Sequence, residues 1–449
     1  MLSDPIAALA TPPGRSAVAV VRLSGVGALG VAARVVDGFA ALCPRVATLA
    51  AFREAGGELI DRGLVTLFPA PHSYTGDDLV EFSCHGGLLV PVRLLAALHA
   101  AGARPAAPGE FTRRAVLNGK LDLVQAEAVG DLIDAVAPAQ ARAALGQLDG
   151  GLSRRLGELR EGLVEAEGLL AYEIDFPGED DGPISPARIS AHLDEVAARI
   201  DRLLATGPAA ERLREGALLV LAGRPNAGKS SLFNALLGAE RALVTEIAGT
   251  TRDAVEAHTD FLGWPIRLVD TAGVWEATDR IDRLGVEMSR RYLGAADLVL
   301  LCVEAGRVVE TDEYEMAGSR PSLLVRTKLD LAVGGGSADA AGIDGEGVPV
   351  STVTGVGLEL LRRAAAQRVF ADRVALADLE PALTRARHRT ALERARAGLA
   401  EAREQLGHGE AVLAAHHLRE ATAGLDELVG AVDIEDVLDQ VFRSFCIGK

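Results

Sequence analysis

Residues 217–238, "ALLVLAGRPNAGKSSLFNALLG", join a strand-like apolar run to a helix-like run through a glycine-rich turn. The turn, Gly223 to Ser231, matches GxxxxGK[ST], a loop whose backbone N–H groups cradle phosphate. In this context we expect Lys229 to reach the β- and γ-phosphate oxygens and the Ser230 hydroxyl to ligate Mg²⁺. The stretch therefore predicts a phosphate loop between a strand and a helix of an α/β domain.

Two short motifs downstream supply the residue types that hold Mg²⁺ in phosphate-transfer sites. Residues 247–253, "IAGTTRD", offer the Thr251 hydroxyl as a second direct ligand. Residues 270–273, "DTAG", close the apolar run "IRLVD", so Asp270 stands where it can hold the ion through water. This order of motifs argues against a chance match of the phosphate loop.

The motif "TKLD" at residues 327–330 predicts how the base is read. Asp330 can accept hydrogen bonds from both N1–H and the 2-amino group of guanine, whereas adenine presents an acceptor at N1. Ser351, in "STVTG", stands where the last base-contacting loop is expected. A carboxylate at position 330 therefore selects GTP over ATP.

Two positions depart from the pattern of small GTPases. Thr327 stands where they generally carry asparagine, and the loss of the amide is expected to loosen the loop and weaken nucleotide binding. Val274 and Trp275 follow Gly273, so the water-orienting glutamine of Ras-like proteins is absent and another group must position the water.

The residues expected to contact the nucleotide are Asn226, Ala227, Gly228, Lys229, Ser230, Ser231, Thr245, Glu246, Ile247, Ala248, Gly249, Thr250, Thr251, Asp270, Thr271, Ala272, Gly273, Thr327, Lys328, Asp330 and Ser351.

The composition of the whole chain bounds the class of protein. At 449 residues and 49% hydrophobic, the chain is expected to form several globular domains. Its four cysteines show neither a CxxC nor paired spacing, which argues against a disulfide framework and a zinc cage. Asp4 lies where a signal peptide needs positive charge, and no apolar run approaches the roughly 18 residues of a membrane span. We therefore expect a cytoplasmic protein without a membrane segment, whose net charge of −17 confines any RNA contact to a local basic patch.

The patterning along the chain predicts an α/β and all-α multidomain protein. Residues 1–118 carry short strand-like runs between Gly and Pro clusters and indicate a mixed α/β domain. Helical spacing follows over 119–213 and returns over 376–449. Between them, 214–375 alternates apolar strands with helices, which favours a doubly wound sheet. The economical interpretation is a Ras-like P-loop domain inserted into an all-helical one.

These motifs together resemble the MnmE (TrmE) family of tRNA-modifying GTPases over essentially the whole chain. The matching stretches are "ATPPGRSAVAVVRLSG", "YTGDDLVEFSCHGG", "PGEFTRRAVLNGKLDLVQAEA", "IDFPGED", "GRPNAGKSSLFNALLG", "IAGTTRD", "DTAG" and the terminal "FCIGK". The resemblance implies a folate-binding, dimerising amino-terminal domain, a helical domain and an inserted G domain. It also implies that the protein adds an aminomethyl or carboxymethylaminomethyl group to C5 of the wobble uridine of tRNA, using 5-formyl- or methylene-tetrahydrofolate. The implied partner is the FAD-dependent MnmG (GidA), which joins the homodimer in a heterotetramer.

The resemblance further implies activation by K⁺ when two G domains pair. Asn226 matches the family's side-chain ligand for this ion, and Thr245, Ile247 and Thr250 match the surrounding loop. A monovalent cation beside the β- and γ-phosphate oxygens supplies charge where an arginine finger otherwise stands. The alternative for Asn226 is a loop residue that caps backbone groups.

The family's water-orienting glutamate maps onto Asp282 in "ATDRIDRLG". Aspartate is one methylene shorter, which reduces its reach toward the water. With Lys229 and Asn226, Asp282 completes the catalytic set that we expect in the nucleotide site.

The family's folate-binding positions carry residues that suit a folate. A pterin presents a guanine-like donor edge, and the Glu81 carboxylate is its chemical complement. Arg22, Lys120 and Lys449 are candidates for the polar ring atoms and the acidic tail of the ligand. Taken singly, each is more typical of a solvated surface charge.

The last five residues, "FCIGK", place Cys446 close to the terminal carboxylate. A free cysteine is often small apolar filling. Lys449 lies three residues further on, and the resemblance puts this tail beside the folate, where a thiolate could add to C6 of uracil and make C5 nucleophilic. We keep two hypotheses for Cys446, a chemical role and a role in positioning folate.

One basic stretch remains open. Residues 383–406 predict a helix with six arginines, a candidate tRNA contact on an acidic protein. Interleaved glutamates make a solvated, salt-bridged face an equal alternative. The chain as a whole therefore predicts an enzyme, with two competing hypotheses: a G-domain-dimerising regulatory switch without modification chemistry, and a folate-dependent transferase with a degenerate nucleotide site.

Overall fold

The computed structural model of the chain describes residues 4–175, 186–238, 255–270, 290–332, 347–370, 383–429, 441–442 and 445–448. The chain divides into two compact units. The first comprises Met1–Gly130, Leu148–Arg160 and Thr422–Lys449, and the second comprises Asp131–Gln147 and Glu161–Ala421. These units cut the helical residues differently from the predicted domain boundaries, which stay a prediction.

The first unit contains a six-stranded mixed sheet. Its strands are β1 Ile6–Leu9, β2 Val18–Ser24, β3 Thr48–Arg53, β4 Leu59–Phe68, β5 Leu79–His85 and β6 Arg104–Pro105, in the order β3-β4-β5-β2-β1-β6. Only the β1–β6 pair is parallel among these described strands. The predicted α/β character of this region is confirmed.

Three helices and one 3₁₀ turn accompany this sheet. They are α1 Ala28–Ala32, α2 Val90–Ala100, α3 Glu110–Leu117 and the turn Phe39–Ala41. Residues alternate along β2, so that Ala19, Val21 and Leu23 enter the core on one face. Because α2 packs on the same side of the sheet, the opposite face is left to the polar members of these strands, which include Arg22.

The helical residues form seven further helices among those described. They are α4 Leu123–Asp134, α5 Pro138–Leu148, α6 Gly151–Asp175, α7 Pro186–Leu204, α8 Gly207–Glu215, α12 Ala386–Gly407 and α13 Ala411–Val429. The apolar spacing of α7 buries Ile189, Leu193 and Ile200 as a stripe, and this helix packs against α12. The two helical stretches predicted on either side of the α/β segment are therefore confirmed.

The second unit carries its own six-stranded sheet. The strands are β7 Ala217–Ala222, β8 Val255–Phe261, β9 Trp264–Asp270, β10 Leu298–Glu304, β11 Ser322–Thr327 and β12 Val348–Pro349, in the order β12-β11-β10-β7-β9-β8. The described pairs are parallel except β8–β9. Every residue of β7 is buried, as expected for a central strand covered on both faces.

Helices cover both faces of this second sheet. They are α9 Lys229–Leu237, α10 Thr311–Ala317, α11 Leu358–Phe370 and the helical residues 290–295, with a 3₁₀ turn at Leu329–Leu331. Leu219 and Leu221 pack toward α9 and α11, while Leu218 and Val220 face the opposite cluster with Tyr292. This is the predicted doubly wound arrangement. Within the described ranges no helix is long and apolar enough to cross a membrane.

Candidate functional site

The phosphate loop connects β7 to α9, as the motif predicts. Gly223 follows the strand with φ 144°, and a Cβ there would lie 2.4 Å from the carbonyl oxygen of Cys302, so only glycine fits. Gly228 caps the amino end of α9 with φ 86°. Asn226 lies between them in the left-handed region with φ 64°, and it is exposed. The loop thus presents Asn226 outward while the N–H groups at the start of α9 remain available to an anion.

Lys229, the first residue of α9, is buried under the loop. Its ammonium donates to the carbonyl oxygens of Gly223 and Arg224, both at 2.9 Å. The neighbouring Ser230 and Ser231 are exposed on the first turn of the helix. The Lys229 ammonium therefore stands inside the loop, bonded to two of its carbonyl oxygens.

The loop predicted to read the base begins where β11 ends, and is called the base-reading loop below. Thr327 is 2% exposed and its hydroxyl donates to the carbonyl oxygen of Ala227 at 2.7 Å. The loss of the asparagine amide therefore does not leave this loop unfastened. Lys328 follows with φ 57°, and its ammonium pairs with Glu304.

Asp330 and Ser351 meet although they come from different loops. Asp330 lies in the 3₁₀ turn, and the Ser351 hydroxyl donates to its Oδ1 at 2.6 Å. This bond orients the carboxylate through its Oδ1 atom. The structure thus brings both base-reading candidates together near the phosphate loop.

Asp270 ends β9 and is 5% exposed, which puts a buried carboxylate at the carboxyl edge of the sheet. Several predicted contacts lie outside the described residues: Thr245, Glu246, Ile247, Ala248, Gly249, Thr250, Thr251, Thr271, Ala272, Gly273 and Asp282. Their roles stay predictions.

Sequence reasoning missed the anchor of Arg224 in the phosphate loop. Its guanidinium binds Glu310 through two bonds of 3.0 and 2.7 Å, and it binds Asp312 at 2.7 Å. The bond from Arg224 holds the pKa of Asp312 below its ordinary value. Glu310 also caps α10 in a capping box with Glu313. The acidic run "ETDE" was the only signal, and nothing local in it points to the phosphate loop.

The amino-terminal candidates Arg22 and Glu81 lie opposite each other on β2 and β5. The Arg22 Nε and Nη2 atoms donate to Glu81 Oε1 at 3.0 and 2.8 Å. The guanidinium also lies 5.6 Å from the ring centre of Tyr74 and 5.7 Å from that of Phe111. Lys120 donates to the carbonyl oxygen of Pro71 at 3.1 Å, in the loop that precedes Tyr74.

Tyr74 and Phe111 were not among the predicted residues. The Tyr74 hydroxyl and the Thr112 hydroxyl are 2.8 Å apart, and burial raises the pKa of Tyr74. The two aromatic residues come from "SYTGDD" and "GEFTRR", so only their presence in the quoted motifs could have drawn attention to them. They show that the Arg22 guanidinium is enclosed by flat rings rather than solvated.

The carboxyl-terminal tail lies in this amino-terminal unit. Gly448 accepts a hydrogen bond from Arg22 Nη1 at 3.3 Å, and the Cys446 carbonyl accepts from the N–H of Gly109 at 3.3 Å. Phe445 packs on Phe442, with ring centres 5.2 Å apart. The tail is thus brought to the Arg22–Glu81 pair, while Lys449 lies outside the described residues.

The cysteines differ in access. Cys84 and Cys302 are buried, and burial raises their pKa values to about 11 and about 12. Cys43 and Cys446 are exposed free thiols. Of the two, Cys446 lies in the docked tail, whose Gly448 carbonyl contacts Arg22.

The basic helix α12 pairs its arginines with acidic side chains. Arg389 binds Glu211 at 2.9 Å, Arg396 binds Asp201 at 2.9 Å, and Arg403 binds Asp194 at 2.8 Å. Arg385 binds Asp131 at 2.7 Å. These pairs favour the salt-bridged face over a tRNA contact. The arginines hold α12 against its neighbours.

Comparison with known proteins agrees with this geometry. Residues 5–120 match the family described as "GTP-binding protein TrmE N-terminus", and residues 123–446 match "MnmE helical domain". A protein of Akkermansia muciniphila named tRNA modification GTPase MnmE is 42% identical over 454 residues, with both chains fully covered. Proteins of the same name from Aquifex aeolicus and Moorella thermoacetica are 40% and 42% identical, again with full coverage of both chains.

The doubly wound sheet, its phosphate loop and these matches define a GTPase of the P-loop class that carries a separate amino-terminal α/β region and a set of helices. The chain belongs to the MnmE (TrmE) family of tRNA modification GTPases.

Proposed function

We propose that this GTPase is activated by K⁺ and, with an FAD-dependent partner of the MnmG (GidA) type, modifies C5 of the wobble uridine of tRNA. The added group is aminomethyl or carboxymethylaminomethyl. The observation that carries the proposal is the docked tail, which puts the Gly448 carbonyl on Arg22 and an exposed Cys446 thiol in the same unit as the Arg22–Glu81 pair. A switch protein without chemistry of its own has no use for this arrangement.

The residues around Arg22 fit a reduced folate. Both bonds from Arg22 end on Glu81 Oε1, so within the described residues Oε2 is left for the N–H groups of a pterin edge. Tyr74 and Phe111 hold the guanidinium in place, and Lys120 and Lys449 would bind the acidic tail. When bound, 5-formyl- or methylene-tetrahydrofolate supplies the one-carbon unit. The residues of this chain would orient it.

In the nucleotide site the chain offers the donors that the two cations need. Ser230 is exposed on the first turn of α9 and would bind Mg²⁺ together with Thr251, while Asp270 would act through water. The exposed Asn226 would bind K⁺ with Thr245, Ile247 and Thr250. Lys229 would turn from its two carbonyl partners to the phosphate oxygens, and Asp282 would orient the attacking water.

We assign the folate pocket to a domain of residues 1–118, the helical domain to 119–213 and 376–449, and the inserted G domain to 214–375. We also propose a homodimer that forms a heterotetramer with the FAD-dependent partner, in the cytoplasm. The K⁺ site would be completed when two G domains pair.

Nucleoside analysis of tRNA from cells that lack this protein tests the proposal. We expect the modified wobble uridine to be absent and to return with the wild-type chain but not with Glu81→Gln or Lys229→Ala. Glu58→Gln is the matched control, because Glu58 is an exposed carboxylate of the same unit, in the turn between β3 and β4, with a side chain 69% accessible. Normal modification in the deleted cells would favour the regulatory switch, and GTP turnover by the purified chain would exclude a degenerate nucleotide site.

A further inference from the structure

The hydroxyl of Thr327 donates its single hydrogen bond to the backbone of the phosphate loop. Thr327 ends β11 and is buried at 2% exposure, and its hydroxyl lies 2.7 Å from the carbonyl oxygen of Ala227. Since a carbonyl oxygen only accepts, the single proton of the hydroxyl must point at Ala227. A Cβ on the adjacent Gly228 would lie 3.5 Å from Thr327 Cβ, so the two loops are in van der Waals contact here.

Threonine and asparagine differ in how many hydrogen bonds their side chains can donate at this position. The amide of asparagine carries two N–H bonds, so it can hold a carbonyl and still donate to a second acceptor. The hydroxyl of threonine carries one. Once the hydroxyl proton of Thr327 is donated to the Ala227 carbonyl, the oxygen of Thr327 can only accept hydrogen bonds and cannot bind another acceptor.

Guanine presents such an acceptor on this side of the site. If Asp330 reads N1–H and the 2-amino group, the imidazole ring of the base, with N7 and the link to the ribose, lies on the side of the phosphate loop. Thr327, three residues before Asp330, contacts that loop at Ala227. N7 is an acceptor only, so reading it requires a donor. The ammonium of the neighbouring Lys328 is paired with Glu304.

We propose that Thr327 fastens the base-reading loop to the phosphate loop and leaves guanine N7 unread, so that this site accepts guanine nucleotides altered at N7. The inference rests on the proposed role of Asp330 and extends it. Among the described residues, specificity for guanine then comes from the N1 and N2 edge, through the carboxylate that Ser351 holds. The substrate class is widened to 7-deaza and similar guanosine triphosphates.

Titration calorimetry on the full chain with GTP, 7-deaza-GTP and ATP tests this directly. We expect the wild-type Kd values for GTP and 7-deaza-GTP to agree within about twofold, because no hydrogen bond is lost. Thr327→Asn should gain a preference for GTP over 7-deaza-GTP of about fivefold or more, the effect of one added hydrogen bond. A wild-type preference for GTP of about tenfold would overturn the inference.

Two further variants separate the fastening role from base reading. Thr327→Ser keeps the proton, so its Kd values for GTP and 7-deaza-GTP should still agree with each other within about twofold. Thr327→Val keeps the shape but leaves the Ala227 carbonyl unpaired, so it should weaken GTP and 7-deaza-GTP by the same factor, about tenfold or more. If Thr327→Val weakened the binding of GTP and 7-deaza-GTP by different factors, Thr327 would contact N7.

The same titrations distinguish failure of the inference from failure of the underlying assignment. Equal binding of ATP and GTP would remove the role of Asp330, and with it the argument about N7. Strong preference for GTP over ATP together with rejection of 7-deaza-GTP would leave the nucleotide site standing and refute this inference alone.

Discussion

Replacing Gly448 by alanine should release the docked tail. The added Cβ would lie 2.3 Å from the carbonyl oxygen of Leu9 and 2.9 Å from the Cα of Ala10, both backbone atoms that no rotamer change can move. Gly448 also has φ 101°, which adds about 1–2 kcal/mol of strain for a residue with a side chain. With about 1–3 kcal/mol for the overlap, the docked state should lose roughly 2–5 kcal/mol.

That loss of roughly 2–5 kcal/mol matches or exceeds the contribution of the bond from Arg22 to Gly448, about 1.5–3 kcal/mol for a charged donor, so the docked state of the tail should be depopulated. The assay is titration of the purified Gly448→Ala chain with 5-formyltetrahydrofolate, beside GTP hydrolysis and tRNA modification. We expect the folate Kd to rise by about 30-fold or more, modification to fall with it, and hydrolysis to stay normal.

The matched control is Gly409→Ala, because Gly409 has a similar positive φ of 81° but no atom within 4 Å of the added Cβ. It should leave folate binding unchanged. Wild-type folate affinity in Gly448→Ala would refute the reasoning, since the tail would then be dispensable for the pocket.

Four other predictions follow from the two sites. GTP hydrolysis should be markedly faster in KCl than in NaCl at equal ionic strength, and Asn226→Ala should remove the difference while GTP still binds; equal rates in the two salts with the wild-type chain would contradict the K⁺ site. Asp282→Asn should slow GTP turnover about 10²-fold with GTP binding intact, and near-normal turnover by this variant would mean that another residue orients the water. Asp282→Glu should hydrolyse GTP at least as fast as the wild type if the shorter aspartate side chain limits the rate. Asp330→Asn should shift preference from GTP toward XTP, because an amide can donate to the carbonyl that replaces the 2-amino group; no gain for XTP would mean that Asp330 does not read the base. Cys446→Ser should abolish tRNA modification and leave GTP hydrolysis normal; loss of folate binding as well would favour the positioning role, and wild-type modification would exclude a chemical one.

The phosphate loop could be predicted because its determinants are local. A buried strand, a glycine turn and an amphipathic helix occupy 22 consecutive residues, 217–238, and their conformations follow from neighbours in the chain. The same holds for the strand that carries Arg22 and for the amphipathic stripe of α7. Sequence periodicity alone was enough to predict these elements.

The partners of charged side chains could not be predicted in the same way. Arg22 meets Gly448 across 426 residues, and Arg224 meets Asp312 across 88. Pairing at that separation depends on topology, which a run of charges does not encode. The arginines of α12 show this most clearly, because their sequence is compatible with an RNA contact, whereas the fold places Asp201 and Asp194 against Arg396 and Arg403.

The docked tail also bears on how the chain is made. A ribosome adds about 5–20 residues per second, so roughly 20 to 90 seconds separate the synthesis of Arg22 from that of Gly448, 426 positions later. During that interval the amino-terminal strands can pair, since β1, β2 and β5 are all present early. The surface that residues 445–448 contact is not yet covered. A chain whose translation stops within the last few codons would therefore carry both sheets and would still lack the segment that contacts Arg22.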